Sequence, residues 1–368
     1  MFEINFWRLK GVILFHLKCC YSNTYCKREV FWMKTKFLAT VLALSAIAMG
    51  SLGCGSKGGQ QAYNNQNVKW PTKPVQIIVP YSAGGDTDFN ARVMAKYLEK
   101  KLGKPFTVTN VVGGGGSIAN NRVKNAAPDG NTILVNHVSF ILSRASNVID
   151  FSYKDMVMGG VFARQDTDVV LVRGDSPWNS IKELIEDSKK NPNQYKIAAN
   201  TGTSSHYVAI SLQNAGAKLN VIDSGGSSDR IVALLGGHVD VIPASYAGVK
   251  DYLKTGKFKV LAACAPQRSA VLPDVPTLKE SGVDCAYVYP YTFFFPKGTN
   301  PKIAETLSAA VKDIVQNDKS YANEIDKAYM QKPYYESISD SEKSWGKTYD
   351  QIMKLSDKLQ GKVQKETK

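Results

Sequence analysis

Four short stretches concentrate the residues that could do chemistry. Tyr81-Ser82-Ala83-Gly84-Gly85-Asp86-Thr87-Asp88 follows an apolar run that ends at Pro80 and precedes a helical pattern. Glycine-rich turns between a strand and a helix hold anions, because free amides and the helix dipole point at one spot. The donors here are the backbone N–H groups of Ala83, Gly84, Gly85 and Asp86 and the hydroxyls of Ser82 and Thr87. The stretch lacks the Lys-Ser/Thr pair of a triphosphate loop. Two blander readings stand beside anion binding: Asp86 or Asp88 as a helix cap, and the glycines as a plain turn.

The second stretch, "NVVGGGGSIANNRV", satisfies a loose dinucleotide pattern at Gly114, Gly116 and Ala119. The acidic residue expected at the end of the next strand is missing, and Asp129 sits in a Pro-Asp-Gly turn instead. Tight packing of a helix on a sheet is the better reading. The third, "AANTGTSSHYVA", gathers the hydroxyls of Thr201, Thr203, Ser204 and Ser205 at a helix start beside Gly202. His206 invites a Ser/His reading, but an adjacent base cannot reach the nucleophile's oxygen as catalysis requires. His206 is then a packed or hydrogen-bonding residue of an anion pocket. The fourth, "IDSGGSSDR", opens a helix with Gly225, Gly226 and Ser227, and Asp223 is either a cap or a ligand contact. None of these loops supplies a clear acid–base pair, which argues for a binding protein rather than an enzyme.

The elements around the loops alternate. Val75–Val79 is a short β-branched strand, 89–102 carries a helical apolar period, 106–112 is a strand, 118–127 a helix and 132–135 a strand. That βαβαβ order predicts a parallel sheet with helices on its faces. A second series follows, with strands at 169–172, 195–199, 219–222, 239–242 and 260–263. Ser176 with Pro177 predicts the cap and first position of the helix between the first two of these. An apolar strand at "TFFF", a Pro-Lys-Gly turn and charged helices complete the chain. Ligands of α/β sheets bind beyond the carboxyl ends of strands, which is where all four loops lie.

The ends of the chain read differently. Met33–Lys36 is basic, 37–49 is apolar but too short for a mature bilayer span, and Ser51-Leu52-Gly53-Cys54 closes it. This layout resembles a bacterial lipoprotein export signal with Cys54 as the lipidated residue. It departs from the usual pattern in having Leu at Leu52 rather than at Ser51. An ordinary signal peptide and an uncleaved anchor are the alternatives. Residues 1–32 hold Cys19, Cys20, Cys26 and aromatics without a clear period, and are expected to be an upstream extension with Met33 as the true start. A double apolar anchor is the alternative for them. Residues 55–67 are a Gly/Ser/Gln/Asn tether with nothing to bury.

The chain of 368 residues carries a formal net charge of +14, from 46 Lys+Arg and 32 Asp+Glu. Cleavage before Cys54 removes seven basic and two acidic residues, leaving (46 − 7) − (32 − 2) = +9. The positive charges are dispersed apart from a Lys-rich tail, without the basic, aromatic-interleaved stripe of a nucleic-acid binder. Beyond Cys54 only Cys264 and Cys285 remain. Two cysteines make no disulfide framework, although they could pair, and no metal motif or cofactor is expected.

Taken together these motifs resemble the TctC, or Bug, family of substrate-binding proteins of tripartite tricarboxylate transporters. Pro80 to Asp88 is similar to the family's opening Pro-Phe/Tyr-x-x-Gly-Gly-x-x-Asp loop, followed by Arg92 in the next helix. "NVVGGGGSIA" is similar to its second loop and Asp129-Gly130-Asn131-Thr132 to its Asp-Gly-x-Thr turn. Gly202, Thr203 and His206 match its third motif, with Asn200 replacing the first glycine. "LLGGHVDV" and "PDVPTLKESG" also match, and the likeness runs from Lys73 to about Asp313. One departure is Asp223-Ser224-Gly225-Gly226, where the family often has Pro-Tyr-Lys-Gly.

The resemblance implies a type II periplasmic-binding-protein fold, two α/β domains closing on a ligand about crossing strands near Val172 and Ala263. The expected division is 73–172 with 264–368, and 173–263. It implies no catalytic residues and a cleft site built from Tyr81, Ser82, Ala83, Gly84, Gly85, Thr87, Asp88, Thr201, Gly202, Thr203, Ser204, His206, Asp223, Gly225 and Gly226. The implied function is an extracytoplasmic, lipid-anchored monomer that captures a di- or tricarboxylate or related organic acid and passes it to membrane subunits of the transporter. A sensor for a signalling partner is the alternative, and a hydrolase a remoter one.

Overall fold

Short β-branched runs separated by amphipathic segments fold from Val75 onward into two five-stranded mixed sheets. The structure is a computed structural model and describes residues 4–9, 12–17 and 68–361. It divides into residues 1–61 and 62–368. In the first unit β1 (Ile4–Leu9) and β2 (Val12–Leu17) pair antiparallel, with Ile4 opposite Leu17 and Leu9 opposite Val12. The export-signal pattern, Cys54 and the tether lie outside the described residues. Among the described residues no helix is long and apolar enough to cross a membrane.

In the second unit the first sheet has β3 (Val75–Val79), β4 (Phe106–Asn110), β5 (Thr132–Asn136), β6 (Val157–Gln165) and β12 (Tyr289–Phe295), in the order β4-β3-β5-β12-β6. Strands β4, β3 and β5 run parallel, joined by α1 (Asp86–Leu102) and α2 (Ser117–Lys124), with α3 (Ser139–Ala145) after β5. β12 inserts antiparallel between β5 and β6.

The second sheet has β7 (Asp168–Arg173), β8 (Lys196–Ala199), β9 (Asn220–Asp223), β10 (Val241–Ser245) and β11 (Phe258–Ala263), in the order β11-β7-β10-β8-β9. Between them lie α4 (Ile181–Lys190), α5 (Ser204–Asn214), α6 (Ser227–Leu235) and α7 (Tyr246–Lys254). Four helices follow β12: α8 (Pro301–Asn317), α9 (Lys319–Tyr329), α10 (Ile338–Met353) and α11 (Ser356–Leu359). Here β7 is the antiparallel member, pairing with β10 and β11. The central strands are almost wholly buried, as expected for sheets covered on both faces, whereas the edge strands β4 and β9 are mostly not. Among the largest fully buried side chains, Phe293, Phe294 and Phe295 of β12 and Trp345 of α10 fill the first layer.

The chain passes between the sheets twice, at 166–167 and at 264–288. The expected crossing near Ala263 falls at the end of β11. The one expected near Val172 does not, because Val172 lies inside β7 and pairs with Val241 and Lys259. A boundary at 172/173 would therefore cut a strand of the second sheet. The alternation of hydrophobic residues marks the strand but not the sheet it joins, which hid this. Cys264 and Cys285 are both buried free thiols.

The helix before β8 starts later than expected. Ser180, not Ser176, is the N-cap of α4, and its Oγ accepts from Glu183 N at 3.2 Å. Glu183 Oε2 reaches back to Asn179 N at 2.6 Å. Local pairing of Ser and Glu three residues apart outweighs the Pro-at-first-turn signal. Ser180→Ala should cost about 1 kcal/mol, read as a lower urea midpoint at unchanged slope. An unchanged midpoint would discount the cap.

Candidate functional site

The loop after β3 is shaped by one carboxylate. Gly84 sits at φ 78°, a left-handed turn that only glycine adopts freely. Its N–H donates to Asp88 Oδ2 at 2.9 Å. Asp88 also pairs with Arg92 at 2.9 Å and accepts from Asn110 Nδ2, which donates to Tyr81 O as well. Burial would raise the Asp88 carboxyl, but the hydrogen bonds from Arg92, Gly84 and Asn110 outweigh it and hold it below the ordinary range. Asp88 is thus spent inside the loop. Gly85, not Asp86 or Asp88, is the N-cap of α1, without a side-chain cap bond. Asp86 turns instead to the cleft, where its Oδ2 accepts from Tyr291 OH at 2.6 Å.

The four glycines of the second stretch all take positive φ, from 53° to 132°. A Cβ on Gly115 would stand 2.0 Å from Thr201 O. The run therefore lets the two sheets' loops approach each other, a use beyond the helix packing expected of it. Ser143 Oγ bridges the same approach, 3.1 Å from Gly115 O and 3.0 Å from Gly202 O.

In the third stretch the hydroxyls serve the loop. Thr203 Oγ1 donates to Asn200 O at 2.7 Å, and Ser205 Oγ accepts from Asn200 N at 3.0 Å. Ser204 Oγ lies 2.7 Å from Tyr289 OH, and its N–H donates to Ser139 Oγ at 3.1 Å. His206 Nδ1 accepts a long bond from Gly202 N at 3.5 Å, and burial lowers its imidazole pKa. In the fourth, Gly226 caps α6 and donates to Asp229 Oδ2 at 2.6 Å.

A cleft between the sheets gathers the starts of α1, α5 and α6. Of the expected residues, Tyr81, Ser82, Gly85, Thr87, Thr203, Ser204, Gly225 and Gly226 line it. Ala83, Gly84, Asp88, Thr201, Gly202, His206 and Asp223 do not. Asp88 is buried in its clamp, Gly202 packs on Val148, and Asp223 is exposed.

The walls are already in contact. Ser82 Oγ donates to Asp229 Oδ2 at 2.6 Å, Gly226 N to Ser82 Oγ at 3.3 Å, and Ser228 Oγ to Ala83 O at 3.1 Å. The room left is ≈ 30 Å³, enough for a water or two. A groove of ≈ 650 Å³ between β6, α8 and α10 is larger and takes in the starts of α8 and α10, but its lining holds no arginine and carries the carboxylates of Glu305 and Glu342.

Sequence reasoning missed Asp86 as a side chain, and also His137, Ser139, Asn200, Ser227, Arg230 and Tyr289, all of which line the cleft. His137 and Ser139 follow β5, so the rule that sends ligands beyond strand ends could have found them. His137 stacks on Tyr81 with ring centroids 5.2 Å apart and touches Tyr289 at 4.2 Å. Burial pushes its imidazole down to about 3, leaving it neutral. Arg230 is only 7% exposed, and its guanidinium donates to Pro243 O and Gly225 O, each at 3.0 Å.

Behind the cleft, both crossings meet at Asp168. It accepts from Tyr289 OH at 2.5 Å, Tyr287 OH at 3.1 Å and Gln165 Nε2 at 3.0 Å. Its backbone carbonyl accepts from Cys264 N at 2.7 Å. Burial, and then the charge of Asp86, raise its carboxyl to about 7 against the hydrogen bonds of the two tyrosines. Asp86 is raised as well, mainly by burial.

Two α/β layers joined by two crossings, with helix starts converging between them, make a two-domain periplasmic binding protein of type II. The chain belongs to the TctC family, the tripartite tricarboxylate transporter family receptors, whose pattern matches residues 90–356. BugT of Bordetella pertussis is 30% identical over 286 residues, 76% of this chain and 86% of that protein. The periplasmic binding protein BugD superposes with a TM-score of 0.70 at 28% identity, covering 79% of this chain and 98% of that one. MatC of Rhodopseudomonas palustris, solved with bound malate, shares the fold with a TM-score of 0.69 at 23% identity, covering 80% of this chain and 100% of that one. The family and these neighbours are solute-binding proteins.

Proposed function

We propose that the protein is an extracytoplasmic receptor that captures an organic acid by its carboxylate between the two sheets and hands it to membrane subunits of a tripartite tricarboxylate transporter. The observation that carries this is the convergence of the starts of α1, α5 and α6 on one cleft. Helix N-termini favour an anion through their free amides and dipoles. The malate held by MatC supports the same ligand chemistry. The closing contacts of Ser82, Gly226 and Ser228 support a two-state domain closure that a ligand biases.

Anchoring through a lipidated Cys54, with residues 1–32 as an upstream extension and 55–67 as a tether, belongs to the same reading. So does action as a monomer. Division at the two crossings, 68–165 with 289–361 against 168–263, is the domain organisation that goes with it.

Thermal-shift screening of an acid library, followed by calorimetry, tests the reading, since a ligand of the folded state raises the melting temperature. Gly85→Val is expected to weaken the best acid about tenfold without unfolding the chain. Its φ of −79° tolerates a side chain, while the new Cβ would meet Ser82 O at 3.4 Å and Ser228 Oγ at 3.9 Å. Unchanged affinity would remove this loop from the site.

A further inference from the structure

We propose that the pole of the first sheet opposite the cleft is a docking surface for an anionic lipid bilayer. This rests on the reading of the protein as an extracytoplasmic receptor anchored through Cys54, and gives that anchor a second contact.

Strands β3, β4 and β5 run parallel, so their first residues share one pole and the cleft loops lie at the other. β12 runs antiparallel to β5 and ends, at Phe295, on the pole of those first residues. Trp70 marks its centre. The indole donates to Gly130 O at 3.2 Å and meets the rings of Phe106 and Phe295 with centroids 6.1 and 6.3 Å away. Five lysines surround this cluster. Lys69 adjoins Trp70, and Lys73 reaches Asp129 beside Gly130 at 3.0 Å. Lys104 precedes Pro105, whose carbonyl accepts from Val75 N at 2.9 Å. Lys297 follows Phe295 in the turn to α8, and Lys302 adjoins Ile303, whose Cγ2 would stand 2.7 Å from a Cβ on Gly130. Lys104 is half-buried and the other four are exposed.

The acids among them are Asp129 and Glu305, each already paired with one lysine, Lys73 and Lys302. Lys69, Lys104 and Lys297 form no ion pair with any described residue. Toward β6 and α10 the border holds Lys154, Asp155 and Glu342, so the cationic face is the side of β3, β4 and the start of α8. Lysines far apart in the chain are thus gathered in space.

An anionic bilayer attracts lysines held within a Debye length of its surface. One acyl chain anchors only marginally, and a basic patch is a second signal that makes attachment firm. The chain enters the fold at this same pole, where residues 55–67 join Cys54 to Val68. With the pole on the bilayer, the cleft loops, which follow β3 and β5, point away from it into solvent.

Co-sedimentation with vesicles tests this, using phosphatidylcholine alone and phosphatidylcholine mixed with phosphatidylglycerol, at low and high salt. The full chain carries Cys54→Ser, so that no acyl chain contributes. It is compared with the same chain bearing Lys69→Glu, Lys104→Glu and Lys297→Glu together. A control bears Lys189→Glu, Lys190→Glu and Lys257→Glu, an equal charge change on the second sheet's side. Melting profiles are matched first, and glutamine replaces glutamate at the three pole positions if that variant does not fold. The parent is expected to prefer the phosphatidylglycerol vesicles at least tenfold, a preference that high salt removes. The pole variant should lose roughly a hundredfold of that binding, the control a few-fold at most, and the pole variant should keep its affinity for the best organic acid.

Equal binding to both vesicle types, or equal losses in the pole and control variants, overturns the docking surface and leaves the receptor reading standing. Mass spectrometry of the wild-type chain reads lipidation of Cys54 separately. A chain without an acyl group there removes the anchor, whatever the vesicles show.

Discussion

Gly226→Ala is expected to leave the fold intact and lower ligand affinity roughly tenfold to a hundredfold. The backbone of Gly226 has φ −72°, which alanine adopts without strain. Its Cβ, however, would lie 2.8 Å from Ser82 Oγ, 3.0 Å from Ser82 Cβ and 3.1 Å from Ser82 N. Overpacking of this kind costs about 1–3 kcal/mol, and about 1.4 kcal/mol is a factor of ten in affinity. The cost falls only on the closed arrangement, because Ser82 and Gly226 belong to different sheets. Pairing Gly226→Ala with Ser82→Gly should restore part of the affinity. Calorimetry with the best acid from the screen checks both. Equal affinity for wild type and Gly226→Ala would mean that the bound state is not closed at this contact.

The second large effect is one of pH. Asp168 titrates near 7 in the fold, while an ordinary aspartate titrates near 3.8. The folded state therefore holds a proton that the unfolded chain has already released between about pH 4 and 7. Stability from this group is complete below pH 4, declines as pH rises through that window and levels off above 7. The slope reaches up to about 1.4 kcal/mol per pH unit. Thermal unfolding of Asp168→Asn should show a flatter pH profile over that range than wild type. Parallel profiles would place the titration elsewhere. Tyr289 joins Asp168 to Ser204 of the cleft through contacts of 2.5 and 2.7 Å.

Much of the site could be read in the chain because glycine and hydroxyl-rich loops announce themselves locally. Ser82, Gly85, Ser204, Gly225 and Gly226 line the cleft and stand where the alternation of strands and helices put them. What escaped was set by distance. Tyr289 and Tyr291 reach Asp168 and Asp86 from 121 and 205 residues away, and no window of sequence contains both partners. Arg230 looks like any surface arginine until α6 turns it inward.

Two elements were missed for local reasons. In β6 the pair Gly159-Gly160 interrupts the β-branched pattern, with Gly160 at φ 91°. In α3, "SFILSRA", nearly every side chain is buried, so no amphipathic period survives. Asp88 and Thr203 show the converse. Their types fitted a ligand, but the loops use them to hold their own shape.

The placement of β12 has a consequence for how the molecule is made. This strand fills the gap between β5 and β6, yet it follows the whole of the second sheet in the chain. As the chain emerges from N- to C-terminus, the second sheet has every strand it needs before Tyr289 appears. The first sheet must wait, with the facing edges of β5 and β6 unpaired. Non-local strand pairing of this kind is slow, and open edges invite association. On synthesis from the N-terminus the second sheet is expected to complete early and the first sheet late. The vulnerable interval ends when three consecutive phenylalanines arrive to close it.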